Sequence, residues 1–200
     1  MTDFLIATNN AHKVEEFKRI LLPLGINVLS AKEAGVDLGD VEENGKTFAE
    51  NAKIKAMSAY KIASMPCIAD DSGLCVDALD GAPGLYTARY GGEDITQEER
   101  NALLLHNIKD VDDKDRGAQF VCHICCVINE DDIIDAEGIC EGSIAHKPAG
   151  KEGFGYDPIF LYTDGRCLGD ISGEEKDEIS HRGIALRNLR TKLENRKDVL

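Results

Sequence analysis

Phe4-Leu5-Ile6-Ala7-Thr8-Asn9-Asn10-Ala11-His12-Lys13 is the stretch that decides the architecture of this 200-residue chain. Its apolar run Phe4–Ala7, bounded by polar residues, predicts a short buried strand. The chain then enters a helical pattern directly, with Val14, Phe17, Leu21 and Leu24 at helical spacing and Glu15 and Glu16 near the positive end of the helix. A strand that opens onto a helix N-terminus turns backbone N–H groups toward one point, where an anion is stabilised. Lys13 adds a cation within reach of the same place. The segment lacks the glycines of a G-x-x-x-x-G-K-[ST] loop, so its signal is position, not motif.

Working outward, Pro66-Cys67-Ile68-Ala69 predicts a second buried strand that ends in Asp70-Asp71-Ser72-Gly73, with a strand resuming over Leu74–Leu79. Ligands of open α/β sheets gather outside the carboxyl ends of strands. Adjacent carboxylates there suit a hard, oxygen-ligated cation such as Mg²⁺, and Gly73 lets backbone approach a ligand. The same four residues also make an ordinary solvated turn. Gly35 to Gly45 is an acidic, glycine-punctuated loop in which Glu42-Glu43-Asn44-Gly45 offers a further carboxylate or simply a solvated edge. Thr47-Phe48-Ala49-Glu50 has the form of a capping box. The helix it opens carries Ala49, Ala52, Ala56, Ala59 and Ala63 on one face, small enough for close packing on a sheet, with Thr47, Asn51 and Lys55 as a polar stripe beside them.

Beyond the Gly81-Ala82-Pro83-Gly84 loop, which runs on to Gly91-Gly92, Thr96-Gln97-Glu98-Glu99 forms a second capping box, whose helix is expected to end near Lys109. Alternation from Ala118 to Ile128 predicts a long strand, turned at Asp131-Asp132 into another over Ile133–Gly142. Pro158–Tyr162 reads as a strand and Asp164-Gly165 as a hairpin turn, and Ser180 is placed to cap a last helix with Leu186, Leu189 and Leu193 inward. Gly153-Phe154-Gly155-Tyr156-Asp157-Pro158 separates two aromatics and a carboxylate by glycine, which suits a planar ligand and equally a pair of rings plugged into a core. Ser180-His181-Arg182-Gly183 puts an imidazole and a guanidinium at a helix start, as donors or as ordinary surface charge. The pattern is one mixed α/β domain over residues 1–200, without repeats or linkers.

Composition narrows the chemistry. Asp and Glu outnumber Lys and Arg by 37 to 23, a net charge of −14, and no basic run of five exists. Binding to a nucleic-acid polymer, which rests on Lys and Arg displacing counterions, is therefore not expected, and any nucleotide is met singly in a pocket. No stretch reaches the roughly 20 apolar residues of a membrane span, and Met1-Thr2-Asp3-Phe4 has no basic leader, so neither membrane insertion nor secretion is expected. Seven cysteines, several within apolar strand-like runs, read as reduced, buried thiols of a cytoplasmic protein. Cys122 and Cys125, three apart in a strand, face opposite ways, which argues against zinc. There is no G-x-S-x-G elbow and no G-x-G-x-x-G fingerprint.

Taken in order, Thr8-Asn9-Asn10-x-x-Lys13, Thr47-Phe48-x-Glu50-Asn51-Ala52, Ala69-Asp70-Asp71-Ser72-Gly73-Leu74, Gly81-Ala82-Pro83-Gly84, Thr87-Ala88-Arg89-Tyr90, Gly153 to Pro158 and Ile179-Ser180-His181-Arg182-Gly183 resemble the inosine triphosphate pyrophosphatase family, over residues 4 to about 190. The resemblance implies an elongated mixed sheet flanked by helices, two lobes around a nucleotide cleft, and a homodimer. It implies Mg²⁺-dependent hydrolysis of ITP, dITP or XTP to the monophosphate and pyrophosphate, which keeps these bases out of nucleic acid. By position, Thr8, Asn9, Asn10 and Lys13 would hold phosphates, and Lys55 would reach them. Glu43 and Asp71 would hold the metal, with Asp71 also the proton acceptor for water. Ser72, Phe154, Gly155, Tyr156, Asp157, Lys176, His181 and Arg182 would contact substrate, with His181 or Arg182 as donors to a 6-keto group. Asn9-Asn10 and Ala11-His12 stand where many relatives have a glycine in the loop. A pyrophosphatase for modified pyrimidines and a non-turning-over nucleotide sensor are the competing readings.

Overall fold

The computed structural model describes residues 3–39 and 41–196, the side chain of Leu24 excepted. Met1 and Thr2 thus lie outside the described residues, and the helical spacing read as far as Leu24 ends as α-helix at Leu21, with a 3₁₀ turn over Leu22–Leu24. The strands are β1 (Asp3–Ile6), β2 (Asn27–Ser30), β3 (Cys67–Val76), β4 (Gly117–Asn129), β5 (Asp132–Ile144) and β6 (Phe160–Tyr162). They form a six-stranded sheet in the order β2-β1-β3-β4-β5-β6. β1 runs parallel to both β2 and β3, and β6 runs antiparallel to β5, so the sheet is mixed. The helices are α1 (Ala11–Leu21), α2 (Ala31–Ala34), α3 (Phe48–Ala63), α4 (Gln97–Asn107), α5 (Gly173–Ile179) and α6 (His181–Glu194). No helix among the described residues is long and apolar enough to cross a membrane.

The chain divides into two compact units, each assembled from separated stretches: residues 1–71, 122–138 and 181–200 in the first, 72–121 and 139–180 in the second. In the first, the alternation of a strand sorts side chains onto two faces. Phe4 and Ile6 of β1, Ile68 of β3 and Cys122, Ile124 and Cys126 of β4 join Phe17 and Leu21 of α1 and Ala185, Leu186, Leu189 and Leu193 of α6 in one core. Leu5, Ala7, Cys67, Ala69, Cys125 and Val127 face the other way, onto Ala52, Ala56 and Ala59 of α3. The alanine stripe is thus the surface by which α3 lies on the sheet, and Cys122 and Cys125 take opposite faces as their spacing predicts. Gly138 marks another close approach: a Cβ there would stand 2.1 Å from the carbonyl oxygen of His181, so only glycine lets β5 pass the start of α6.

The second unit has its own core, built on Leu74 and Val76 of β3, Leu104 and Ile108 near α4, and Phe120, Ile144, Ile159, Phe160 and Leu168. Arg116 is buried within it and donates to the carbonyls of Ile144, Ile108 and Ala145, each at 2.8 Å, so three backbone acceptors carry a guanidinium inside.

Four expectations need revising. Asp70-Asp71-Ser72-Gly73 is not the end of a strand: β3 runs through it from Cys67 to Val76 and gives way to a 3₁₀ turn over Asp77–Leu79. The solvated-turn alternative is removed because Asp70 is fully buried and finds its partners inside the protein. The strand expected over Pro158–Tyr162 begins only at Phe160, after a 3₁₀ turn over Asp157–Ile159. α4 ends at Asn107, two residues short of Lys109. At Thr47 the capping box is half formed: its hydroxyl accepts from the backbone N–H of Glu50 at 3.1 Å, but the Glu50 carboxylate takes the N–H of Lys46. The box at Thr96 and Glu99 is complete. β2, α2 and α5 were not expected.

Candidate active site

In the first unit the polar groups lie in two sets, one on each face of β3. The carboxylates of Asp70 and Asp71 are adjacent in sequence and therefore point oppositely. Asp70 shares the face of Ile68 and turns toward α1 and α6, and its Oδ2 collects Lys13 Nζ at 2.9 Å and Arg182 Nε and Nη2 at 3.2 and 3.1 Å. The third guanidinium nitrogen, Nη1, donates to Glu16 Oε2 at 2.5 Å, so Arg182 is gripped by acids from a strand and a helix. Both Asp70 and Arg182 are 2% exposed. Burial alone would push the Asp70 carboxyl up, but Lys13 and Arg182 outweigh it and hold it below the usual carboxylate range.

The loop leading into α1 is built around Asn10. Its side chain accepts from the backbone N–H groups of His12 and Lys13 at 3.0 and 3.3 Å, while its own N–H donates to Thr8 Oγ1 at 3.2 Å. Two of the first-turn N–H groups are thereby occupied by an internal cap, which keeps the loop in shape. Asn9 and Asn10 are exposed and Thr8 half-buried.

Asp71 shares the face of Cys67 and Ala69 and turns toward α3. Lys55 Nζ stands 3.1 Å from Asp71 Oδ1 and 2.8 Å from Glu43 Oε2, and Asn51 Nδ2 donates to Asp71 Oδ2 at 3.2 Å. Burial pushes the Asp71 carboxyl above its ordinary value against the pull of Lys55, and the nearby charge of Glu43 adds to the rise. Lys55 is itself raised: burial acts to lower it, and the surrounding carboxylates, Asp71 first, more than compensate. Asn51 and Lys55, a turn apart, explain the polar stripe seen in the sequence, since they grip the two oxygens of one carboxylate.

Glu43 and Asp71 also decide whether a divalent cation fits. Both offer hard carboxylate oxygen, and both already converge on a single cation, the Lys55 ammonium. No cluster of three or more His, Cys, Asp or Glu suited to a metal occurs among the described residues. Two carboxylates match Mg²⁺, which keeps several waters and takes phosphate oxygens for the rest. The residues fit the ion.

In the second unit, Phe154 to Asp157 form a tightly pinned loop. The Phe154 N–H and Lys176 Nζ both donate to Asp157 Oδ2, each at 2.7 Å, and the Lys176 ammonium lies 4.6 Å from the centre of the Phe154 ring. Such an ammonium over an aromatic face is attractive. The Asn101 amide holds the Gly155 carbonyl at 3.1 Å from α4. Tyr156 is buried in the core with its hydroxyl donating to the Thr87 carbonyl, so its ring supports the loop from beneath. Phe154 is half-buried and Lys176 and Asp157 are buried. Ser72 follows Asp71 in β3 and is half-buried, and His181 is buried in the first turn of α6.

Of the residues singled out in the sequence, Lys13, Asp70 and Arg182 meet in one set of contacts and Glu43, Lys55 and Asp71 in another. The sequence reading missed Glu16, which lies 166 residues from Arg182, and no local signal marks that pairing. Asn51 was visible only as part of a stripe.

Fold and polar groups together define an α/β protein of one family: the chain belongs to the Ham1 family, whose model matches residues 4–192. It is 45% identical over 200 residues to a dITP/XTP pyrophosphatase of Clostridium perfringens, covering 96% of this chain and 98% of that protein. The dITP/XTP pyrophosphatase of Escherichia coli K12 is 44% identical, with coverage of 98% and 100%. Among solved structures, a HAM1 protein from Coxiella burnetii superimposes with a TM-score of 0.87 at 41% identity, covering 98% of this chain and all of that one. A nucleoside-triphosphatase / dITP/XTP pyrophosphatase from Mycobacterium abscessus gives 0.75 at 41% identity, over 92% and 97%.

Proposed function

We propose that this chain hydrolyses non-standard purine nucleoside triphosphates, dITP, ITP and XTP, to the monophosphate and pyrophosphate, with Mg²⁺. The observation that carries the proposal is the arrangement at Lys55, where two carboxylates, Glu43 and Asp71, share a single ammonium. The names of relatives at about the same length and 44–45% identity support the substrate class.

In this reading Lys13 and Lys55 bind triphosphate oxygens, which a protein of net charge −14 must otherwise repel. Thr8, Asn9 and Asn10 shape the loop that receives them. Glu43 and Asp71 hold the Mg²⁺, which supplies neutralisation of the charge that develops on the phosphoryl oxygens. Asp71 accepts a proton from the attacking water, its carboxylate set in place by Lys55 and Asn51. Water oxygen bonds to the α-phosphorus, the bond from that phosphorus to the bridging oxygen of the β-phosphate breaks, and pyrophosphate departs. Ser72 contacts the substrate. Phe154 and Gly155, on the loop that Tyr156, Asp157 and Lys176 hold in place, form the surface for the base, and His181 with backbone N–H groups recognises the 6-keto group, while Arg182, taken up by Asp70 and Glu16, supports the start of α6. An adenine amino group would leave such donors unpaired, at about 1–3 kcal/mol for each buried group.

Residues 1–200 act as one catalytic domain, which the span of the family match supports. A homodimer and a cytoplasmic setting belong to the same proposal, and seven cysteines without a disulfide support the second. The role follows from the reaction: removing these triphosphates keeps their bases out of DNA and RNA. The test is pyrophosphate release from ITP, dITP, XTP, GTP, ATP and dUTP, with Mg²⁺ and with EDTA. Release from the first three that needs Mg²⁺, with GTP and ATP nearly inert, is expected. Preference for dUTP would overturn the base assignment, and binding without turnover would leave a nucleotide sensor.

A further inference from the structure

Asn51 is 5% exposed and lies in the first turns of α3, facing Asp71. Its amide joins two segments. Oδ1 accepts the backbone N–H of Gly45 at 2.8 Å, two residues beyond Glu43, and Nδ2 donates to Asp71 Oδ2 at 3.2 Å. The orientation of this amide is dictated by its partners. A backbone N–H only donates and an ionised carboxylate only accepts, so the oxygen must face Gly45 and the nitrogen must face Asp71. The contact with Gly45 is also sterically built. A Cβ at position 45 would stand 2.6 Å from Asn51 Oδ1 and 2.8 Å from Glu50 Cβ.

We propose that Asn51 is a positioning residue that holds the Asp71 carboxylate in its working orientation and ties the Glu43-bearing loop to it. The inference rests on the reading of Asp71 as metal ligand and proton acceptor. With Asn51 on Oδ2 and Lys55 on Oδ1, both oxygens of Asp71 are fixed from one helix face. Lys55 is also the contact that reaches Glu43, so one turn of α3 sets the spacing of the two carboxylates. Groups that hydrogen-bond ligating carboxylates typically change metal affinity or activity about 10–100-fold when removed.

The test uses the full-length protein. Asn51→Ala removes both ends of the bridge. Mn²⁺ affinity of the nucleotide-free protein, read by electron paramagnetic resonance, is expected to weaken about tenfold or more, and kcat at saturating Mg²⁺ to fall about 10–100-fold with nucleotide KM little changed. A merely structural role would lower the urea midpoint without moving Mn²⁺ affinity in the folded fraction. Asn51→Asp, equal in size, still accepts from Gly45 but cannot donate to Asp71, so it is expected to keep the fold and lose kcat to a similar degree. Wild-type kcat in Asn51→Asp, or wild-type Mn²⁺ affinity in Asn51→Ala, overturns the inference. Asp71→Asn is the control. If it retains Mn²⁺ binding and turnover, the reading of Asp71 fails and takes the inference with it. If it loses both while the Asn51 variants match the wild type, the inference alone fails.

Discussion

Arg182 and Asp70, 112 residues apart in sequence, meet with two guanidinium nitrogens on one carboxylate oxygen, Nε at 3.2 Å and Nη2 at 3.1 Å from Asp70 Oδ2. Neither side chain reaches solvent, and Lys13 and Glu16 complete a four-membered set of alternating charge. A buried ion pair of this kind is a weak source of net stability, but breaking one is expensive because it strands the remaining charge.

Asp70→Asn keeps the shape and removes the charge that two cations share. The expected loss is about 3–5 kcal/mol of unfolding free energy, read from urea denaturation at neutral pH. A loss below 1 kcal/mol would mean that Glu16 alone satisfies Arg182.

Asp71→Asn tests the neighbouring carboxylate in a different currency. Asp71 is only partly buried, so the fold is expected to persist by circular dichroism, while turnover falls by about 10²- to 10⁴-fold, the usual worth of a general base. An active Asp71→Asn protein would move the proton acceptor to Glu43, the carboxylate that shares Lys55.

How much of this was legible depends on the range of the signal. The βα unit at Phe4–Lys13, the alanine face of α3 and the opposed cysteines all follow from periodicities within a few residues, and all stand in the structure. The missed α2 and α5 carried local signals after all: Ser30-Ala31-Lys32-Glu33 makes a complete capping box, and Ser172 caps the N–H of Glu175. β2 is four residues long and takes its pairing from β1, which no window of its own sequence states. The run Asp70–Gly73 was misread because turn composition is a local rule, whereas the burial of Asp70 depends on cations supplied by α1 and α6.

Glu33 gives the clearest pH signature. Hydrogen bonding from Lys18, then from the backbone and hydroxyl of Ser30, lowers its carboxyl from 4.5 to about 2. A depressed carboxyl stabilises the fold while it is ionised, so its contribution is complete above 4.5 and is lost as pH falls toward about 2. A ¹³C titration of the Glu33 side chain is expected to show a midpoint near 2, moving back up in Lys18→Met. A wild-type midpoint near 4.5 would contradict the capping geometry.

The thiols are expected to be inert. Burial pushes Cys67 and Cys125 up to about 12, and raises Cys122, Cys126, Cys75 and Cys167 as well. At pH 8 a thiol with a pKa of 12 is ionised in roughly one molecule in ten thousand, and the thiolate is the reactive form. Native protein with a thiol-specific disulfide reagent is expected to react slowly, first at the half-buried Cys75, and all seven cysteines to react on unfolding. Rapid labelling of Cys67 in native protein would show that α3 leaves the sheet.

β3 passes through Asp70 and Asp71 without a break, and that continuity makes the two carboxylates a matter of parity. An even or odd position along an extended chain decides which helices a side chain meets, so two identical residues one step apart are assigned to different tasks. Asp70 meets α1 and α6 and is gripped by Lys13 and Arg182; Asp71 meets α3 and is held by Asn51 and Lys55. Inserting or deleting one residue between Ile68 and Asp70 would exchange their addresses while leaving the composition of the motif almost intact. The pair therefore depends on the count of residues ahead of it as well as on their type.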